Sequence, residues 1–209
     1  MNKGLFKFSI RDITEIAVMC ALAIAFDRFL NIKIGATGGS LSIACLPLFI
    51  VSYRHGWFKG FVSAGIVFGL TTCILDAYGF QYFVFDYFIA FGCIGLAGLF
   101  GKPIYKYICE KEMKKKLISI SLIILTVAIY FIIRVLSASV DSMIFYQYTL
   151  GASLIYNVGY VGPSCIAIII FLIILLPSLI SINTMYPTEF LKEEKKEEVD
   201  DNKKTNLEF

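Results

Sequence analysis

Asp86 is the residue in this sequence that most demands a chemical explanation. It stands in the run Phe-Asp-Tyr-Phe-Ile-Ala-Phe from Phe85 to Phe91, deep in an apolar stretch. A carboxylate at membrane depth costs roughly 2.5–3.5 kcal/mol on insertion scales. It must therefore face a wet cavity, a protein partner such as Arg134, or the membrane surface. Tyr82, Phe83, Phe85, Tyr87 and Phe88 surround it. Aromatic rings beside a buried carboxylate suit a cationic or amine-bearing aromatic ligand. They also suit an aromatic belt at the bilayer surface. A second set comprises Tyr146, Tyr148, Tyr156, Asn157 and Tyr160. Tyr156 and Tyr160 are four apart and share a helix face. Asn157 in hydrocarbon needs a hydrogen-bond partner, either on another helix or on a ligand.

Other chemistries are absent or weak. His55 is the only histidine and falls in a basic segment, where it reads as solvated or interfacial. No Ser/His/Asp or Cys/His set is expected on one membrane face. Cys20, Cys45, Cys73, Cys93, Cys109 and Cys165 are scattered without a C-x-x-C pair and read as small hydrophobes, with no disulfide framework or metal site. No G-x-x-x-x-G-K-[ST] loop is present, so the chain does not hydrolyse ATP by itself. The residues point to a binding protein, not an enzyme, and no cofactor is implied.

The elements that position these residues follow from composition. Of 209 residues, 58% are hydrophobic and 17% charged, and the mean hydropathy is +0.77. A soluble domain carries about 25% charged residues. The net charge of +3 is close to balance, which argues against nucleic acid as a partner. The chain reads as an all-α integral membrane protein in the lipid bilayer, with six transmembrane helices. The apolar runs are Ile13 to Leu30, Leu41 to Tyr53, Trp57 to Leu75, Phe80 to Phe100, Leu117 to Leu136 and Ala152 to Ile182. Pro163 and Pro177 predict a kink or an early end in the last.

An odd–even alternation gathers 16 of the 19 basic residues on one side, leaving only Arg28, Lys33 and Arg134 on the other. The positive-inside rule then places both termini in the cytoplasm. The N-terminal segment does not read as a cleavable signal. Residues 1–182 form the membrane domain. Residues 183–209 form a charged cytoplasmic tail expected to be disordered or a frayed helix. Asp86 and Asn157 then lie within about two turns of helix starts on the outer face, where they can line one cavity. The loop Ile34-Gly-Ala-Thr-Gly-Gly-Ser is flexible by composition and is either a lid or a simple connection. Ala17, Ala21 and Ala25, each four apart, let another helix approach closely, within this chain or from a partner.

This arrangement resembles the substrate-binding (S) components of energy-coupling factor vitamin transporters, and most of all the thiamine-specific ones. Leu41-Ser-Ile-Ala-Cys-Leu-Pro-Leu, Tyr53-Arg-His-Gly and Lys59-Gly resemble that group's second-helix region. Asp86-Tyr-Phe-Ile-Ala-Phe followed by Gly95-Leu-Ala-Gly98 is similar to its fourth-helix segment, and Tyr156-Asn157 with Tyr160 and Pro163 to its last helix. The resemblance spans about Ile13 to Leu175. It implies a bacterial, multi-pass cell-membrane protein that binds a vitamin, thiamine first, at an outward-facing site. It also implies docking to a membrane coupling subunit with two cytoplasmic ATPases. On this resemblance Asp86, Tyr87 and Asn157 hold the ligand, Tyr146 stacks on it, and Tyr156 and Tyr160 complete the site. Ala17, Ala21 and Ala25 form the docking face. The acid is Asp where the family has Glu, while Ala138 and Ala152 stand at positions of a histidine and a tyrosine. Trp57, the only tryptophan, lies on the inner side. A thiamine precursor or another vitamin remains an alternative ligand. Other readings are a ligand-free structural protein, a small intramembrane enzyme and an ion-coupled carrier. The enzyme would need paired acids or histidines at one depth, and the carrier is disfavoured because no internal repeat is visible.

Overall fold

The computed structural model describes residues 6–33, 40–110 and 112–191. The glycine-rich loop, residues 34–39, read from the sequence as either a lid or a simple connection, lies outside the described residues. Helix α1 (Ile10–Phe29) starts at a capping box. The Ser9 hydroxyl accepts from the Asp12 N–H at 3.1 Å, and the Asp12 carboxylate accepts from the Ser9 N–H at 3.2 Å. Two short antiparallel strands, β1 (Ile32–Lys33) and β2 (Ser40–Leu41), bracket the glycine-rich loop. Then come α2 (Cys45–His55), α3 (Trp57–Asp76), α4 (Phe80–Cys109), α5 (Met113–Tyr146) and α6 (Leu150–Met185).

These six helices fall on the six apolar runs. Four of them, α3 to α6, are long and apolar enough to cross a membrane. Helix α2 has only 11 residues, and α1 carries Arg11, Asp12, Glu15, Asp27 and Arg28. Helix α6 continues past Pro163 and Pro177, so the expected early end does not occur. Lost backbone bonds are tolerated where neighbouring helices and side chains re-satisfy the freed groups.

Helices α3 and α4 are joined through Ala77 (φ 57°) and Gly79 (φ 122°). They then approach until their backbones touch. Each contains a π-helical stretch, Val62–Phe68 in α3 and Phe83–Ile89 in α4. A Cβ on Gly95 would lie 2.6 Å from the Phe61 nitrogen and 2.8 Å from its Cα. Backbone cannot rotate aside, so Gly95→Ala is expected to destabilise by about 1–3 kcal/mol. Thermal unfolding of the purified protein reads this; an unchanged midpoint would show that the two helices separate freely.

The end of the bundle built from the start of α1 and the α2–α3 junction buries a set of charges. Only Gly56 (φ 87°) separates α2 from α3. There is thus no loop to hold Arg54, His55 and Lys59, and all three turn inward against α1. The Lys59 ammonium donates to Asp12 at 2.8 Å, and Arg54 pairs with Glu15. His55 is 0% exposed, with its two ring nitrogens 3.4 Å from Asp12 and from Glu15. The solvated reading of His55 is thereby corrected.

The tail boundary also differs from expectation. Helix α6 runs beyond residue 182 to Met185. The segment after it packs on the bundle: the Thr188 hydroxyl donates to the Arg54 carbonyl at 2.5 Å, and Phe190 and Leu191 are buried. Residues from 192 onward lie outside those described.

Candidate functional site

The opposite end of the bundle opens into a cavity of about 130 Å³. A single water needs only about 10–15 Å³ on this measure, so the space suits a small organic molecule rather than one solvent molecule. The ends of α1, α3 and α5 meet the starts of α2, α4 and α6 here, and Ser40 of β2 reaches the rim. Asp86, Tyr87, Tyr146, Tyr156, Asn157 and Tyr160 all line this one cavity.

Asp86 and Tyr87 sit in the π-helical stretch of α4. The side chain of Asp86 is 33% exposed, with Oδ1 3.5 Å from the Arg134 guanidinium. Arg134 has independent anchors: it donates to the Asp86 carbonyl and lies 4.4 Å from the centre of the Phe91 ring. The Asp86 carboxylate therefore retains acceptor capacity toward the cavity. Ser137 donates to the Phe85 carbonyl, fixing α5 against the same turn. Tyr87 donates to Asp76 at 2.8 Å, and Asp76 also accepts from Arg28 at 2.6 Å. Arg28 is shared with Asp27 at 2.7 Å.

Asn157 is buried and largely satisfied by the protein. Its Nδ2 donates to the Ser153 carbonyl at 2.8 Å and to the Ser139 hydroxyl at 3.2 Å. Its Oδ1 accepts from Tyr160 at 2.7 Å. Both amide hydrogens are used, so any ligand bond must use the second lone pair of Oδ1. Tyr156 and Tyr160 meet edge to face with centroids 5.5 Å apart. Tyr146 stacks on Tyr82 at 5.9 Å and 20°, placing two rings at the mouth.

The structure brings in residues that apolar-run reasoning missed. Asp27, Asp76 and Asp141 also line the cavity, beside Arg134, the partner expected for Asp86. Asp27 and Asp76 lie at helix ends, where a charge raises no alarm. Asp141 falls past Leu136, the expected end of the fifth run, whereas α5 continues to Tyr146. Ala138 lines the cavity, while Ala152 is exposed. Trp57 opens α3 at the end away from it. On α1, Ala17 and Ala21 are exposed and Ala25 is half-buried, while Ile16, Cys20 and Ala23 face the core.

Comparison with known proteins places this geometry. The model of a family described as thiamine transporter protein (Thia_YuaJ) matches residues 13–184. The chain is 29% identical over 175 residues to thiamine transporter ThiT of Bacillus subtilis (strain 168), covering 77% of this chain and 88% of that protein. Among solved structures, ThiT from Listeria monocytogenes aligns with a TM-score of 0.64 over 87% of this chain and 97% of that one. At 20% identity this is a likeness of fold. Matched over most of its length, the chain belongs to the thiamine transporter protein family and is a multi-pass membrane transporter rather than an enzyme.

Proposed function

We propose that this protein is the substrate-binding component of an energy-coupling factor importer and takes thiamine from outside the cell. The observation that carries the reading is the cavity that joins the Asp86 carboxylate to the rings of Tyr87, Tyr146, Tyr156 and Tyr160. A carboxylate accepts the amino hydrogens of an aminopyrimidine as charge-assisted bonds. Tyrosine faces attract a thiazolium, a contact worth about 2 kcal/mol when desolvated. A purely structural role for these polar residues would leave no open space between them. Arg134 and Asp86 do meet, and Asn157 is satisfied internally, yet the cavity remains.

In this reading the six helices cross the membrane, both termini are cytoplasmic, and the cavity opens outward. The unequal distribution of basic residues supports that orientation. The chain carries no nucleotide loop, so driven release requires partners: a membrane coupling subunit and two ATPases. The exposed small side chains of Ala17 and Ala21, continued by Ala25, are the docking face.

Thermal unfolding of the detergent-purified protein against thiamine, its pyrimidine precursor, riboflavin, biotin and pyridoxine tests the assignment. A ligand at a thousand times its Kd stabilises by about 4 kcal/mol. Stabilisation by thiamine is expected. Stabilisation by another member alone would retain a vitamin-binding component and replace the substrate, and none at all would contradict the reading.

A further inference from the structure

We infer that Asp141 is a ligand-contacting residue of the cavity, the carboxylate that meets the positive charge of the bound molecule. This rests on the proposed thiamine reading and adds the residue that reads the cation. Four aspartates line the cavity, and three have protein partners. Asp27 and Asp76 share Arg28, and Asp86 faces Arg134. Asp141 is 4% exposed, and its Oδ1 has no hydrogen-bond partner among the described residues.

The helix explains why Asp141 is left over. Arg134, Ala138 and Asp141 follow one another at steps of four and three, so they share one face of α5. Arg134 is seven residues before Asp141, about 10 Å along the axis, too far for a direct ion pair. Ala138 between them also lines the cavity, and its single methyl leaves the intervening space unfilled. Arg134 is in any case held by the Asp86 carbonyl and the Phe91 ring. A buried carboxylate with an unpaired oxygen and no direct ion pair is costly, even with the Arg134 charge further along the helix. A cationic organic ligand lying over Ala138 would supply a direct counter-charge while its neutral half meets Asp86. Thiamine has this division, with a neutral aminopyrimidine and a permanently charged thiazolium.

The test is calorimetric titration of the purified full-length protein with thiamine and with the neutral aminopyrimidine alcohol that forms half of it. Asp141→Asn keeps the shape and removes the charge. Loss of a charged contact is expected to weaken thiamine binding at least tenfold, with little change for the neutral fragment. The thermal midpoint of the ligand-free variant should hold or rise, because a buried charge has gone. Asp141→Ser serves as the second variant and should give the same pattern. Equal thiamine affinity in variant and wild type overturns the assignment alone. So does an equal loss for both compounds with a lowered midpoint, which marks a structural role. A wild-type protein that binds neither compound overturns the thiamine reading, and this assignment with it.

Discussion

Asp86→Asn is expected to weaken thiamine binding at least tenfold while leaving the ligand-free protein folded. The Asp86 side chain is the one partly exposed carboxylate on the cavity side of the α4 π-helical stretch. Its ion pair with Arg134 is long, at 3.5 Å, and does not exhaust its lone pairs. Replacing the carboxylate by an amide keeps one acceptor oxygen but removes the charge. Charge-assisted bonds are worth about 1.5–3 kcal/mol against about 1 for neutral ones. Arg134 keeps the Asp86 carbonyl and the Phe91 ring in the variant, so the fold retains its anchor. Asp86→Glu preserves the charge and should bind more tightly than the amide. Calorimetric titration of the three proteins decides it, and equal affinity in wild type and Asp86→Asn would remove Asp86 from the site.

Lys59→Met is expected to produce the largest loss of stability, and it does so at the other end of the molecule. Lys59 and Asp12 are both buried and meet at 2.8 Å. Removing one member strands a charge in the interior, which costs about 3–5 kcal/mol. His55 lies 3.4 Å from Asp12 and is itself shared with Glu15, so it is a poor replacement for the ammonium. The double variant Asp12→Asn with Lys59→Met removes both charges and should recover much of the loss, since neighbouring substitutions do not add. Unfolding midpoints of the single and double variants check this. A Lys59→Met protein as stable as wild type would mean that water reaches Asp12. Thiamine binding by the folded fraction should not change, because the cavity lies at the opposite end.

The positions of the helices were legible because apolar runs dominate the sequence. What misled were polar residues that point inward. Ser137, Ser139, Asp141 and Ser142 lower the hydropathy after Leu136, and the fifth run ends there on paper. In the fold all four are buried, and α5 continues to Tyr146. The same stretch holds Asp141, so an early helix end also removed a cavity acid from view. The signal was present as spacing: Arg134, Ala138 and Asp141 keep the helical period across the apparent boundary.

Arg54, His55 and Lys59 misled in the opposite sense. A cluster of basic residues between two apolar runs reads as a solvated loop. The single residue Gly56 is the whole connection, and the acids that neutralise the cluster lie far away in sequence, on α1. Pairing between Asp12 and Lys59 is a tertiary fact that no local window contains. The six residues singled out for ligand contact share one cavity because Asp86 and Asn157 both follow helix starts by about two turns. The joint placement of Asp86 and Asn157 follows from helical rise and alternation, while the choice of all six as ligand contacts rests on the family resemblance.

Equilibrium dialysis of labelled thiamine against the purified wild-type protein tests the central claim most directly. The expected result is saturable binding of one thiamine per chain, displaced by unlabelled thiamine and not by biotin. Absence of saturable binding by a protein that still unfolds cooperatively would contradict it.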